Sequence, residues 1–160
     1  MFAIALLVGA FCLTQFIRRV FVTKEDLEDV DTLHQKLNNE IDKLKKEKKT
    51  NLIKETIDDF NSQIFQLCNI DKNKYTIDLH GLYPENAIKE LTKRINQLIA
   101  EKYKGRLTVI TGRGLHSVGE PKIKPKVKLL FEKNGLKHEE VSRGGAFYVS
   151  LKSRNILIEL

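Results

Sequence analysis

Two short stretches hold most of the side chains able to do chemistry. Tyr75-Thr-Ile-Asp-Leu-His-Gly81 carries Asp78 and His80. Leu107-Thr-Val-Ile-Thr-Gly-Arg-Gly-Leu-His-Ser117 carries Thr111, Gly112, Arg113, Gly114, His116 and Ser117. A carboxylate two residues from an imidazole can fix the ring's tautomer and raise its basicity, which suits proton transfer. A Thr-Gly-Arg-Gly turn lets backbone N–H groups approach an anion, and its guanidinium is a bidentate phosphate donor. The pair Asp78 and His80, the donor Arg113 and a second acid or base at His116 are therefore the candidate catalytic residues. Thr111, Gly112, Gly114 and Ser117 are candidate phosphate contacts. Each piece also has a plainer use. Asp78 can cap a turn beside a half-buried His80, and the glycines can serve an ordinary strand-to-loop turn.

Other chemistries fit less well. The third glycine and downstream acid of a dinucleotide fingerprint are missing, and no Gly-Lys-Ser/Thr follows as in a phosphate-binding loop of the Walker type. Gly-x-Ser-x-Gly is absent, which argues against a serine hydrolase. Histidines are scattered, with His34 and His138 expected at the surface, and the two cysteines, Cys12 and Cys68, lie far apart. No structural metal or disulfide framework is expected. No motif demands a cofactor, and participation of a divalent metal stays open. Unpaired cysteines fit a reducing compartment.

Charge points to a polyanion. Residues 1–70 hold ten Lys/Arg against eleven Asp/Glu, whereas residues 71–160 hold eighteen against ten. The net +8 of the second part sits where the glycine turn is, as expected of a surface facing RNA or DNA. Lys122, Lys124 and Lys126 are candidate backbone contacts, although a solvated lysine face would read the same way.

The positioning elements follow from periodicity. Residues 1–22 are an apolar segment. Its uncharged run of 17 before Arg18 and Arg19 is near the length of a membrane-spanning helix. The arginines after the run would leave the rest of the chain in the cytosol. Residues 23–69 read as a helical extension, capped by Thr23. Its apolar stripes are Leu27, Val30, Leu33, Leu37, Ile41 and Leu44, then Ile53, Ile57, Phe60, Ile64, Leu67 and Cys68. No Gly or Pro interrupts this region. It predicts one long helix, or two with a kink near Thr50-Asn51, and the stripe over 24–68 could engage a partner helix or form a short coiled coil. Residues 70–160 read as strand 75–80, helix 84–103 ended by Lys104-Gly105, strand 106–111, helix 121–131, strand 136–141 and strand 146–151. A tight turn, Ser142-Arg-Gly-Gly145, makes the last two an antiparallel hairpin. The expected fold is an α/β two-layer sandwich, β-α-β-α-β-β with a mixed four-stranded sheet, preceded by a long helical extension. Ile156–Leu160 is an apolar tail, either a further strand or a docked terminus.

Residues 75–152 resemble a small MutS-related (Smr) domain. The resemblance rests on Ile77-Asp-Leu-His-Gly-Leu82, Val109-Ile-Thr-Gly-Arg-Gly-Leu-His-Ser117, Pro121-Lys-Ile-Lys-Pro-Lys-Val127 and Gly144-Gly-Ala-Phe-Tyr-Val-Ser-Leu151. It implies a fold like the C-terminal domain of a bacterial translation initiation factor, with nuclease or nucleic-acid-binding activity. Some members nick DNA; others cleave RNA, including messenger RNA on stalled ribosomes, which makes the ribosome a partner to consider. By position, Asp78 and His80 match the family's Asp-x-His, and Gly112, Arg113 and Gly114 its glycine turn. Phe60-Asn-Ser-Gln-Ile-Phe-Gln-Leu-Cys-Asn69 is similar to the end of a helical segment that often precedes the domain in eukaryotic members. The expectation is an endonuclease cleaving RNA, with DNA nicking as an option. It is cytoplasmic, or membrane-anchored through 1–22 with the Smr domain facing the cytosol. The alternative is a non-catalytic nucleic-acid-binding module, membrane-tethered in one version. A third reading is a helical scaffold that recruits partners through 24–68.

Overall fold

The computed structural model describes residues 28–113, 121–141, 144–152 and 157–158. The expected anchor at 1–22 lies outside the described residues, and among those described no helix is long and apolar enough to cross a membrane.

Among the described residues the helical extension is two helices, α1 (Val30–Lys46) and α2 (Ile53–Asn69), joined by a 3-10 turn at Thr50–Leu52. Asp29 caps α1, its carboxylate accepting the Thr32 N–H at 2.8 Å. The expected cap at Thr23 lies outside the described residues; Asp29 has extended backbone, so α1 starts after it. The chain reverses after Lys46 rather than kinking at Thr50-Asn51. Val30, at the start of α1, and Ile64, near the end of α2, both lie against Gly81, which makes the pair an antiparallel hairpin.

Strand β1 (Thr76–Asp78) follows, then α3 (Pro84–Ala100), β2 (Arg106–Ile110), α4 (Ile123–Lys133), β3 (His138–Val141) and β4 (Ala146–Ser150). Three helices stop by one device. The Lys49 N–H bonds the Leu44 carbonyl at 2.9 Å, Tyr103 bonds Leu98 at 2.9 Å, and Leu136 bonds Phe131 at 2.8 Å. In each case the preceding residue is left-handed: Lys48 (φ 56), Lys102 (φ 57) and Gly135 (φ 61). This is the Schellman arrangement, which usually takes glycine. Gly135 was expected. At the other two ends a lysine takes the place, so α3 stops at Ala100 rather than at Lys104-Gly105.

The sheet order is β1-β2-β4-β3. β1 runs parallel to β2, and β4 is antiparallel to both β2 and β3. Alternation sends Ile77, Leu107, Val109, Phe147 and Val149 to one face. There they pack with Leu91, Ile95 and Leu98 of α3 and Val127, Leu130 and Phe131 of α4. Leu33 and Ile64 of the helical hairpin belong to the same core. The apolar stripes of α1 and α2 thus find partners within the chain. Full burial of Ile64 alone contributes about 1.5–3 kcal/mol. The tail docks through Asn96, whose amide donates to the Ile158 carbonyl at 3.0 Å and accepts its N–H at 2.8 Å. His138, expected at the surface, is half-buried between the Phe131 and Phe147 rings, 5.2 and 5.9 Å away.

Candidate active site

Because β1 and β2 are parallel, their C-terminal ends open at the same edge of the sheet. Asp78 ends β1 and Thr111-Gly112-Arg113 follows β2. Strand β1 is shorter than the expected 75–80, so His80 sits in the turn beyond it. Strand alternation therefore does not bring Asp78 and His80 together. A turn of the Asx type does: the Asp78 Oδ1 accepts the His80 N–H at 3.1 Å and bonds its Nδ1 at 2.7 Å. Asp78 is buried, while the His80 side chain keeps 45% of its surface.

The end of α2 fixes this pair from the other side. Strand β1 is a sheet edge, and its backbone groups at Asp78 point away from β2. The Asn69 side-chain amide takes both, donating to the Asp78 carbonyl and accepting its N–H, each at 2.8 Å. One amide thus does what a neighbouring strand would do for an unpaired edge. Next to it, the Cys68 Sγ lies 3.8 Å from His80 Nε2. Both imidazole nitrogens therefore have neighbours: a carboxylate at Nδ1 and a thiol at Nε2. Neither Cys68 nor Asn69 was singled out by sequence as a site residue.

These contacts hold the proton on the ring. The hydrogen bond to Asp78, and then that to Cys68, push the His80 pKa up from 6.5 to about 10, against a smaller opposing effect of burial. At neutral pH His80 is an imidazolium, a proton donor already in place.

Gly112 forms the back wall. Its φ is +74, and a Cβ there would stand 3.3 Å from the His80 Cβ. Only glycine combines this backbone with so close an approach. Its amide, and that of buried Thr111, donate to the Gly145 carbonyl at 3.2 and 3.0 Å. The expectation that the Gly112 amide faces an incoming phosphate is corrected: it is spent inside the fold. Arg113 follows directly and is exposed. Gly114, His116 and Ser117 lie outside the described residues. Of the lysines, Lys124 pairs with Glu140 at 2.7 Å and Lys126 with Glu85 at 2.5 Å, across the α4 start. Lys122 is exposed at the N-cap of α4. The α4 lysines therefore flank the site with part of their charge already matched.

A family model for the Smr domain matches residues 77–152, the span from β1 to the end of β4. The chain is similar to Endonuclease NBR9 of Saccharomyces cerevisiae, 38% identical over 103 residues that make up 61% of this chain and 42% of that protein. It is also similar to an Smr domain-containing protein of Schizosaccharomyces pombe, 33% identical over 58% of this chain and 45% of the relative. The chain spans less than half the length of these curated relatives. Among solved structures, the B3BP Smr domain is 31% identical, with 56% of this chain and 90% of that one covered and a TM-score of 0.48. Residues 77–152, the span of the sheet that carries Asp78 and Gly112 together with His80, are an Smr domain.

Proposed function

We propose that this chain is an endonuclease that cleaves RNA at the C-terminal edge of β1 and β2. The observation that carries the reading is the Asp78-held imidazole of His80 seated against Gly112, with Arg113 next in the chain. A charged His80 acts first as a general acid. It protonates the 5′-oxygen that leaves as the neighbouring 2′-oxygen attacks phosphorus. The P–O5′ bond breaks, a P–O2′ bond forms, and the strand ends in a cyclic phosphate. Asp78 positions the ring and keeps its proton in place. Arg113 would neutralise charge on the phosphoryl oxygens in the transition state. His116 is the proposed base for the 2′-hydroxyl. The likeness to Endonuclease NBR9 of yeast supports the reaction class.

The test uses the full chain with end-labelled single-stranded RNA, duplex DNA and supercoiled DNA, with and without divalent ions. Cleavage of RNA leaving a 2′,3′-cyclic phosphate supports the reading. Arg113→Ala should slow it by roughly 10²–10³-fold. Products ending in a 3′-hydroxyl, or cutting confined to DNA, would replace this mechanism with hydrolysis.

One observation favours a second reading, binding without cleavage. The thiol of Cys68 covers Nε2, the nitrogen through which a proton must leave. Salt-sensitive RNA binding with no cutting under any metal or pH condition would establish that reading instead.

A further inference from the structure

Helices α3 and α4 pack against one face of the sheet, and the other face has a composition of its own. Strand alternation assigns Thr76, Asp78, Arg106, Thr108, Ile110, Ala146, Tyr148 and Ser150 to it. Register orders them in rows. Asp78, Ile110 and Ala146 lie in one row, and Thr76, Thr108, Tyr148 and Glu139 in the next. Arg106 pairs with Ser150 in the third, where the Ser150 N–H bonds the Lys137 carbonyl.

Tyr148 is 36% exposed, in the middle of a central strand. The Arg106 guanidinium stands over its ring, 5.3 Å from the centroid. Arg106, Lys137 and Lys152 are all exposed, so the far border of the face is basic. Ile110 and Ala146 are not among the exposed apolar residues, so this is not a greasy patch awaiting an apolar partner. A ring and a guanidinium offering flat surfaces, with hydroxyls of Thr108 and Ser150 between cations, suit unpaired bases and their backbone. Glu139 opposes phosphate beside Tyr148, which places the backbone on the Arg106 and Lys137 side and the base over the ring.

The face also leads to the site. Asp78 and Tyr148 share it. They are two strand spacings apart across the sheet and one row apart along it, about 12 Å in all. We infer that single-stranded RNA flanking the cleaved bond runs across the exposed, basic part of this sheet face, with one base stacked on Tyr148 and its phosphates against Arg106 and Lys137. The inference rests on the nucleic-acid reading above, and deepens it by naming the path and the strandedness of the substrate.

The experiment measures affinity of the full chain by fluorescence anisotropy. The probes are a 2′-fluoro single strand, which lacks the attacking hydroxyl, and the same sequence as a duplex. Tyr148→Ala should weaken single-strand binding by roughly 5- to 150-fold, while Tyr148→Phe should bind as the native chain does. Duplex affinity should be low in all three. A photo-crosslink from 5-iodouridine in the single strand should fall on Tyr148, a readout independent of any loss of folding in the Ala variant. Equal binding by native and Tyr148→Ala chains, with crosslinks elsewhere, overturns the path and leaves the nuclease reading intact. No binding of the native chain to any nucleic acid overturns both.

Discussion

Cys68 and His80 come from different parts of the fold, yet the Cys68 sulfur lies 3.8 Å from His80 Nε2, opposite the Asp78 carboxylate at Nδ1. Both neighbours favour the protonated ring, the carboxylate more strongly. If His80 works as an acid, activity falls as pH rises past its pKa, so the basic limb of the pH–rate profile reports this environment. Cys68→Ala should move that limb to lower pH, and Asp78→Asn should move it further. An unmoved limb in both variants would remove His80 from the titrating step.

The same contacts tie stability to pH. His80 has a folded pKa raised from 6.5 to about 10, so its contribution is fully present below 6.5 and is lost as pH rises toward 10. Urea unfolding of the native chain and of His80→Gln, each at both ends of that window, isolates the effect from other groups. The native chain should lose more stability on going to high pH than the variant does. Parallel behaviour would mean that the ring is not held charged.

Gly112 and Gly81 test how closely the site is built. A Cβ at Gly112 combines a left-handed backbone with contact to His80, and one at Gly81 would stand 2.7 Å from Val30 Cγ1. Each alanine variant should cost about 1–2 kcal/mol from backbone conformation alone. Gly81→Ala should additionally loosen α1, seen as faster amide exchange in Val30–Lys46. Gly112→Ala should reduce turnover by displacing His80, with α1 exchange unchanged.

Asn69→Ala leaves the Asp78 N–H and carbonyl without the amide that holds them. The expected loss is about 1–3 kcal/mol in chemical denaturation, as for buried groups stripped of partners. Asn96→Ala removes two similar bonds at the tail, far from the site. It should lower stability without changing cleavage, whereas Asn69→Ala should change both.

Much of this was legible in the residues. The runs ending at Asp78 and Thr111 are short, apolar and stopped by glycine, so parallel strands delivering groups to one edge could be read directly. The α3 stripe and the Asn134-Gly135 stop were equally plain. The turn at Lys48 was not, because a lysine occupies the left-handed position that glycine normally marks, and Lys102 misplaced the end of α3 for the same reason. The clamps made by Asn69 and Asn96 were also hidden. An amide matching a distant backbone pair leaves no periodic trace in sequence. Cys68 looked like part of an apolar stripe, and only packing of α2 beside β1 turns its sulfur to the imidazole. Asp78 and His80 were paired correctly for a partly wrong reason, since a side-chain turn and not strand alternation joins them.

The central claim is that the carboxylate-held imidazolium of His80 drives strand scission. Single-turnover cleavage of labelled single-stranded RNA by the full chain, native against His80→Ala, tests it most directly. The account predicts a rate lower by about 10²- to 10⁴-fold in the variant, with RNA affinity retained. Cleavage by His80→Ala at the native rate would contradict it.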